Sequence, residues 1–325
     1  MKIAIVGTGA LGSYYGAKLC RDGQDVHFLL RSDYEHVRRR GVAVHSPEGD
    51  FHVNPKTARL PGDIGVVDLV VICLKTTANS EFARLLTPLV GTSTALLTLQ
   101  NGLGNEEALA ALFGREKIMG GLCFVAINRI GPGFIRHIAQ GKIVMGEFSG
   151  YPEPRTHDVA TIFRHSGVPC SVTDNLKEAH WEKLVWNIAF NGLGVASAIG
   201  YEGFVSDTQE FQPSFPPLSS DLLLADPRWE KLVRALMAEV ITTAQAMNLK
   251  VSFDQIDHEI SRTKKMGVYK ASTIIDFEHR QPLEVVSLFE SPLALTRQMK
   301  VPAPILERLC QILRKIDPAA SHASQ

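Results

Sequence analysis

The chain has 325 residues, a length that allows two ordinary domains with sizeable cores. Its 34 basic residues balance its 34 acidic residues, and this zero net charge argues against a nucleic-acid or an anionic-membrane partner. Apolar residues make up 45% of the chain and charged residues 21%, which is the balance of an ordinary globular protein.

The sequence predicts a cytoplasmic protein without a membrane span, a signal peptide or a metal site. No apolar run approaches the roughly 18 residues that suggest a membrane helix, and the first predicted strand begins at Lys2, which leaves no room for a signal peptide. The five cysteines are scattered and form no C-x-x-C pair, so we expect reduced packing residues. The histidines form no H-x-x-x-H pair.

A glycine-rich turn near the start is the first stretch with a specific chemistry. Ile3–Val6 predicts a buried strand, and a helical pattern follows over Ala10–Cys20. The G-x-G-x-x-G spacing between them allows a tight turn, close approach of a pyrophosphate, and close packing of helix and strand. The free N–H groups of the helix N-terminus favour the phosphate anion. We therefore predict a dinucleotide-binding turn rather than a plain structural turn, formed by Gly7, Thr8, Gly9, Ala10, Leu11 and Gly12.

The end of the second predicted strand, Asp25–Leu30, indicates which dinucleotide binds. NAD-specific proteins carry an acidic residue about 20 residues after the glycines, where it binds the ribose 2′-hydroxyl. Arg31 lies nineteen residues after Gly12, and its guanidinium could pair with a 2′-phosphate. We therefore predict NADP, with a solvated arginine as the alternative. Asp33 is the competing feature, because NAD would become possible if this carboxylate turned into the site.

Polar side chains follow two further buried strands directly. Val67–Leu74 is followed by Lys75, and Thr94–Leu99 is followed by Gln100 and Asn101. The carboxyl ends of parallel strands face the ligand crevice, so Lys75 and Asn101 are candidate cofactor contacts, and Asn101 can also hold a substrate oxygen. The alternatives are a solvated lysine and an ordinary Asn-Gly turn.

The remaining elements complete one α/β domain. Ile118–Ala126 predicts a further buried strand. Two alternating runs, Phe134–Ala139 and Lys142–Phe148, predict an antiparallel hairpin with its turn at residues 140–141. Because strands and helices alternate throughout, we predict a Rossmann-type doubly wound domain over residues 1–174.

Helical periodicity then replaces the strand pattern, which predicts an all-α domain over residues 175–325. Its first predicted helix is Glu178–Ala198, and Lys183, Asn187 and Asn191 share one stripe of it because they stand four residues apart. Asparagine is a poor helix former, and a buried polar stripe is costly unless it contacts polar groups. We therefore predict that the stripe faces a ligand, the alternative being a solvated face.

Prolines and serines without periodicity predict a loop over residues 201–221. Helical patterns then return, with Asp226 as the expected N-cap of the first helix. The predicted helices are Pro227–Met247, Phe253–Lys265, Tyr269–His279, Glu284–Ala294 and Pro304–Lys315.

With these residues in view, the chain resembles the ketopantoate reductases (2-dehydropantoate 2-reductases) from Met1 to about residue 315. The resemblance is specific because it rests on spaced motifs. They are IVGTGALGSYYG, Arg31-Ser32, Cys73-Leu74-Lys75, Gln100-Asn101-Gly102, WEKLVWNIAFN over residues 181–191, and Lys270-Ala271-Ser272 with Glu284.

The resemblance implies a 6-phosphogluconate-dehydrogenase-like fold and an NADPH-dependent reduction of ketopantoate to pantoate, in the route to pantothenate and coenzyme A. It implies that Lys183 is the proton donor and that Glu284 contacts NADP and helps to organise the lysine and the substrate. The residues that it assigns to the substrate are Asn101, Lys183, Asn187, Asn191 and Ser272. The further residues that it assigns to NADP are Arg31, Lys75, Asn101 and Ala126.

Two alternatives stay open. The stretch from residue 199 to residue 224 is longer than the family pattern predicts, so the substrate could be another branched 2-oxo acid. The chain could also be a non-catalytic NADP-binding regulator of the same fold, although such a regulator would need neither Lys183 nor Glu284. The helical domain could support a homodimer.

Overall fold

The computed structural model describes residues 1–206 and 210–319. It contains two compact units, Met1–Leu176 and a second unit from Lys177 onward. The first unit is built on one sheet with helices, and the described part of the second unit is helical. The predicted fold class, an α/β Rossmann-type domain followed by an all-α domain, is confirmed.

The sheet of the first unit has ten strands. Their bounds are β1 Lys2–Val6, β2 Asp25–Leu29, β3 Val42–His45, β4 Phe51–Val53, β5 Lys56–Ala58, β6 Leu69–Ile72, β7 Ala95–Thr98, β8 Ile118–Gly131, β9 Phe134–Glu147 and β10 Cys170–Val172. The order β5-β2-β1-β6-β7-β8 is parallel throughout, which is the dinucleotide-binding order with β1 at its centre. Beyond β8 the sheet continues through antiparallel β9 to β3 and β4, and β10 also pairs with β9.

Helices cover both faces of this sheet. They are α1 Ala10–Arg21, α2 Tyr34–Arg40, α3 Pro61–Ile64, α4 Phe82–Leu86, α5 Asn105–Phe113 and α6 Pro154–His165. Alternate residues of β1 enter two separate cores: Ile3 and Ile5 share one with α1 and α6, whereas Ala4 and Val6 share the other with α3 to α5. Each large aliphatic side chain buried in this way contributes about 1.5–3 kcal/mol, so the first strand is held from both sides.

The predicted hairpin around residues 140–141 is wrong. Phe134–Glu147 is one continuous strand, and the hairpin joins β8 to β9 through the turn at residues 132–133. Gln140 and Gly141 form a bulge inside β9, with φ angles of 66° and 133°. A glycine in such a conformation suits a bulge as well as a turn, and the sequence alone does not distinguish the two.

The second unit has nine helices among its described residues. They are α7 Leu176–Asn187, α8 Leu193–Ala196, α9 Gly200–Val205, α10 Ser220–Ala225, α11 Pro227–Ala246, α12 Asp254–Lys265, α13 Ser272–Glu278, α14 Ser291–Gln298 and α15 Pro304–Ile316. Asp226 caps α11 as predicted, because its side chain accepts a hydrogen bond from the backbone N–H of Arg228 at 2.9 Å.

Two features differ from the predicted helices. Two π-helical segments, Ile188–Gly192 and Val286–Glu290, interrupt the regular helices. The predicted loop over residues 201–221 is partly wrong, because α9 extends to Val205 and α10 begins at Ser220; residues 207–209 of that loop lie outside the described residues.

One described helical run, Leu176–Val205, is long and apolar enough by length and composition to cross a membrane. Of its most apolar window, 83% is buried inside the protein. Such burial is typical of the core helix of a globular protein, which passes the same test of length and hydropathy.

Candidate functional site

The glycine turn combines two tightly packed glycines with one that faces open space. Gly7 has a φ of +97°, and a Cβ there would collide with the backbone of Cys73 and Leu74. A Cβ on Gly12 would collide with the carbonyl of Gly7 and lie 3.1 Å from the Cys73 side chain. Gly9, the N-cap residue of α1, has nothing within 4 Å of an added Cβ. The turn therefore packs closely on the two residues that follow β6, and of its three glycines Gly9 alone has no described atom within 4 Å of an added Cβ.

The local electrostatics of this turn favour an anion. The first turn of α1 contains no acidic residue, so nothing opposes the positive end of the helix dipole. Thr8 donates a hydrogen bond from Oγ1 to the carbonyl of Leu29 at 3.2 Å, which ties the turn to the end of β2. The side chain of Ser13 donates to the carbonyl of Thr8 at 3.0 Å. The backbone N–H groups at the start of α1 are thereby held in place for a phosphate group.

The strand registers bring the predicted cofactor residues of the first unit to one edge of the sheet. Val6 is paired in register with Leu29 and Ile72, and Ile72 with Thr98. Residues that follow these four positions share that edge, and they include the glycine turn, Arg31, Lys75 and Asn101. Gly120 of β8 is the partner of Thr98 in a parallel pair, so Ala126, which comes later in β8, also lies beyond this edge of the sheet.

Arg31 and Asp33 have opposite environments, although only one residue separates them. Arg31 is exposed and forms no ion pair with any residue in 1–206 or 210–319. Asp33 is only 6% exposed and is paired with Arg129, whose Nε donates to Oδ2 at 2.9 Å and whose Nη2 donates to Oδ1. Ser32 also donates from Oγ to Asp33 Oδ1 at 3.0 Å. Sequence reasoning missed Arg129.

A network of amide side chains supports the segment that carries Asn101. Gln100 donates from Nε2 to Asn79 Oδ1 at 2.8 Å, and Asn79 donates from Nδ2 to Asn105 Oδ1 at 2.9 Å. Asn105 in turn donates to the backbone carbonyl of Asn101 at 3.1 Å. Lys75 is exposed and directly precedes the 3₁₀ helix Thr76–Glu81, which contains Asn79. The motif Gln100-Asn101 therefore combines a structural amide with a candidate contact residue.

In the second unit, the predicted stripe lies on α7 and the π segment that follows it. Lys183 is half-buried, Asn187 is 8% exposed and Asn191 is 3% exposed. Asn191 Oδ1 accepts hydrogen bonds from the backbone N–H of Thr273 at 3.0 Å and from Ser272 Oγ at 3.4 Å. The structure thus brings together Asn191 and Ser272, two residues that the family resemblance assigns to the substrate.

Asn187 differs from Asn191 in its partners. Its side chain makes no hydrogen bond to any residue that the structure describes, although the residue is almost fully buried. The amide of Asn187 is therefore available for a ligand.

Glu284 is only 5% exposed and lies just before the second π segment. The two π segments pack closely, since a Cβ on Gly192 would lie 2.8 Å from the Phe289 ring. Short π segments inside helices are frequent at functional sites. Sequence reasoning missed them because their residues continue the helical hydrophobic pattern.

Aromatic side chains border the row formed by Lys183, Asn187 and Asn191. The Trp186 ring lies 5.0 Å from the Phe190 ring and 6.0 Å from the Tyr269 ring. Desolvation raises the pKa of Tyr269, so its hydroxyl stays protonated near neutral pH. Among the described residues, no group of three His, Cys, Asp or Glu side chains could hold a metal ion. The row and the adjacent Tyr269 thus offer amide, ammonium and hydroxyl groups, which suit a small anionic molecule.

Two family models match most of the chain. The model described as ketopantoate reductase PanE/ApbA matches residues 3–150, and its C-terminal counterpart matches residues 217–317. The two matches cover the glycine turn and the Ser272–Glu284 region, whereas Lys183, Asn187 and Asn191 lie between them.

Relatives match over nearly the whole chain. A 2-dehydropantoate 2-reductase from Nostoc sp. is 37% identical, with 97% of this chain and 95% of that protein covered. The crystal structure of 2-dehydropantoate 2-reductase from Geobacter metallireducens has a TM-score of 0.88 and 45% identity, covering 97% of this chain and 99% of the other. A D-mandelate dehydrogenase solved with NADH and anilino(oxo)acetate has a TM-score of 0.85 over 99% of both chains. Its identity is 18%, so this likeness shows the fold alone.

Proposed function

The chain belongs to the ketopantoate reductase family, oxidoreductases that act on CH–OH groups with a nicotinamide cofactor, and we propose that it reduces ketopantoate to pantoate with NADPH. This reaction belongs to pantothenate biosynthesis, and we assign it to the cytoplasm. The observation that carries the proposal is Asn187, a residue only 8% exposed whose side-chain amide makes no hydrogen bond to the described residues, next to Lys183 on the same helix.

Binding of the cofactor is supported by the backbone of the first unit. The pyrophosphate would lie against Gly9, where the structure leaves space for it, and would accept hydrogen bonds from the first N–H groups of α1. Lys75, Asn101 and Ala126 would contact the cofactor from the neighbouring strand ends, since the strand registers bring them to the same edge.

The choice of NADPH is supported by the contrast between Arg31 and Asp33. Arg31 is exposed and has no ion-pair partner in the described chain, so its guanidinium can pair with a 2′-phosphate. Asp33 is the acidic residue that could bind a ribose 2′-hydroxyl, and it is paired with Arg129 instead. This arrangement favours a 2′-phosphate over a 2′-hydroxyl.

The side chains of the second unit would bind and protonate the substrate. When bound, the nicotinamide supplies the hydride that reduces the ketone carbon. Negative charge then builds up on the ketone oxygen, and the ammonium group of Lys183 stabilises this charge and donates the proton. Asn187, Asn191 and Ser272 hold the carboxylate and hydroxyl groups of the substrate, with Asn101 as a further contact. Glu284 orients the ammonium of Lys183 and contributes to the cofactor site.

The test is oxidation of NADPH by the purified protein when ketopantoate is added, with NADH and other 2-oxo acids assayed in parallel. Rapid oxidation with ketopantoate and NADPH alone supports both assignments. Oxidation with other acids but not with ketopantoate contradicts the substrate and leaves the reaction class intact. Equal rates with NADH and NADPH contradict the cofactor assignment.

A reductase of another branched 2-oxo acid is the second candidate, because of residues 210–220, a segment that leads into α10 and includes its first residue. Leu218 donates its N–H to Ser197 Oγ at 2.8 Å, and Ser220 donates from both N and Oγ to the carbonyl of Tyr269 at 2.9 Å. This segment therefore holds the residues directly before Ser272, and it starts outside both family models. A higher kcat/KM for another branched acid than for ketopantoate would favour this candidate.

A further inference from the structure

The β8–β9 hairpin reaches from the far side of the sheet to the end of β2. Its base pairs with β7, whereas residues near its tip pack against α2 and β3. Phe134 is paired in register with Ala43, its ring lies 5.5 Å from the His36 ring, and the N–H of Ala43 donates to the carbonyl of Gly133 at 2.9 Å. The position of the tip is therefore set by strand pairing and packing.

Arg129 lies near the tip of this hairpin and contacts Asp33, just beyond the end of β2. This is the edge of the sheet at which we propose that the nucleotide binds. The guanidinium of Arg129 forms a two-pronged ion pair with Asp33, which lies 96 residues earlier in the chain. The Asp33 carboxylate is 6% exposed, so its charge is poorly screened by water. Arg129 remains partly exposed, with 38% of its side chain accessible.

The ion pair between Asp33 and Arg129 determines whether a free carboxylate or only the guanidinium of Arg31 lies beside the bound nucleotide. An unpaired Asp33 would place a carboxylate close to Arg31, where it would repel a 2′-phosphate and accept a hydrogen bond from a ribose 2′-hydroxyl. Once it is paired with Arg129, both oxygens of the carboxylate are occupied, and Arg31 has no ion-pair partner among the residues that the structure describes.

We propose that Arg129 is a positioning residue for cofactor choice: it neutralises Asp33 and so keeps the site selective for a 2′-phosphate. This inference rests on the proposed use of NADPH. It assigns a function to the tip of the hairpin, since a residue of β8 controls the charge just beyond the end of β2. Arg129 acts through Asp33 and not by direct contact with the reacting atoms.

The test measures the dissociation constants of NADPH and NADH by nicotinamide fluorescence on the full chain. The variants are Arg129→Ala, Asp33→Asn and the double variant. Arg136→Ala is the matched control, because Arg136 is an exposed arginine on the same hairpin, opposite Asn128, and forms no ion pair with the described residues. Thermal melting verifies that each variant folds.

We expect Arg129→Ala to weaken NADPH binding by about tenfold or more, because it leaves a like charge close to the phosphate. NADH binding should stay constant or become tighter. The double variant should regain the preference for NADPH, since no carboxylate remains, and Asp33→Asn alone should keep it. If Arg129→Ala does not fold, Arg129→Gln replaces it, because this variant also removes the ion pair and keeps the Asp33 carboxylate. It is then compared with the double variant.

Equal NADPH/NADH preference in Arg129→Ala and Arg136→Ala would overturn the inference and leave the proposed function intact. The inference would also be overturned if the double variant bound NADPH as weakly as Arg129→Ala does. Arg129 would then act on the cofactor directly and not through Asp33. A wild-type protein without preference for NADPH would contradict the cofactor assignment itself, and the inference with it.

Discussion

The candidate binding groups of the two units are of different kinds. In the first unit the site is made mainly of backbone: a glycine turn, helix N–H groups and strand ends that share one edge. In the second unit it is made of side chains on one helical run, where Asn187 and Asn191 lie buried one helical turn apart. A backbone site suits the constant phosphates of a dinucleotide, whereas a side-chain site can be adapted to a particular acid.

The largest expected effect concerns Lys183 and tests whether the second unit carries the chemistry. Lys183→Ala should lower kcat by about 10²–10⁴-fold, because it removes the proposed general acid. Its affinity for NADPH should change little if binding depends on the first unit. Steady-state kinetics and NADPH titration measure both quantities.

Lys177→Ala is the matched control for this variant, because Lys177 is an exposed lysine on the same helix α7. It should retain the kcat of the wild-type protein. A Lys183→Ala variant with a kcat within a few-fold of wild type would contradict the role of Lys183 as proton donor.

The next effect distinguishes a ligand-binding asparagine from a structural one. Asn187→Leu should reduce kcat/KM by about 10- to 100-fold while stability stays constant or rises, because the apolar side chain replaces an amide that makes no hydrogen bond to the described residues. Asn191→Leu should also lower stability, by about 1–3 kcal/mol, because the N–H of Thr273 loses its acceptor.

Urea denaturation together with steady-state kinetics separates these two outcomes. If Asn187→Leu lost as much stability as Asn191→Leu, Asn187 would have a structural role, and the observation that carries the proposed function would lose its meaning.

The difference between the two units also explains what the sequence could predict. The glycine turn was predictable because strand, turn and helix are consecutive and the role of each glycine is local. The row of Lys183, Asn187 and Asn191 was predictable from the four-residue spacing alone. The unequal partners of the two asparagines were not, because Thr273 comes 82 residues later.

Long-range and ambiguous features account for the errors. The ion pair between Asp33 and Arg129 joins residues 96 positions apart, so no local pattern indicates it. The bulge at Gln140–Gly141 was mistaken for a turn, because both structures accept a positive φ. The π segments were missed because one inserted residue leaves the apolar periodicity almost unchanged.

The smallest expected effect separates packing from binding within the glycine turn. Gly12→Ala should lower stability by about 1–3 kcal/mol, since its Cβ would meet the Gly7 carbonyl and the Cys73 side chain. Gly9→Ala should keep stability within about 0.5 kcal/mol of wild type, because nothing lies within 4 Å of its Cβ. Its affinity for NADPH should nevertheless fall several-fold, because the new methyl group occupies the space proposed for the pyrophosphate.

Thermal melting and NADPH titration of both variants measure these changes, with Gly23→Ser as a control for a glycine in open surroundings outside the turn. Gly23 has a φ of +84°, so this control should lose a little stability and no affinity for NADPH. If Gly9→Ala bound NADPH as tightly as wild type, the free space beside Gly9 would not be the phosphate site. The backbone of the first unit would then have only a structural role, and the contrast between a backbone site and a side-chain site would fail at its first element.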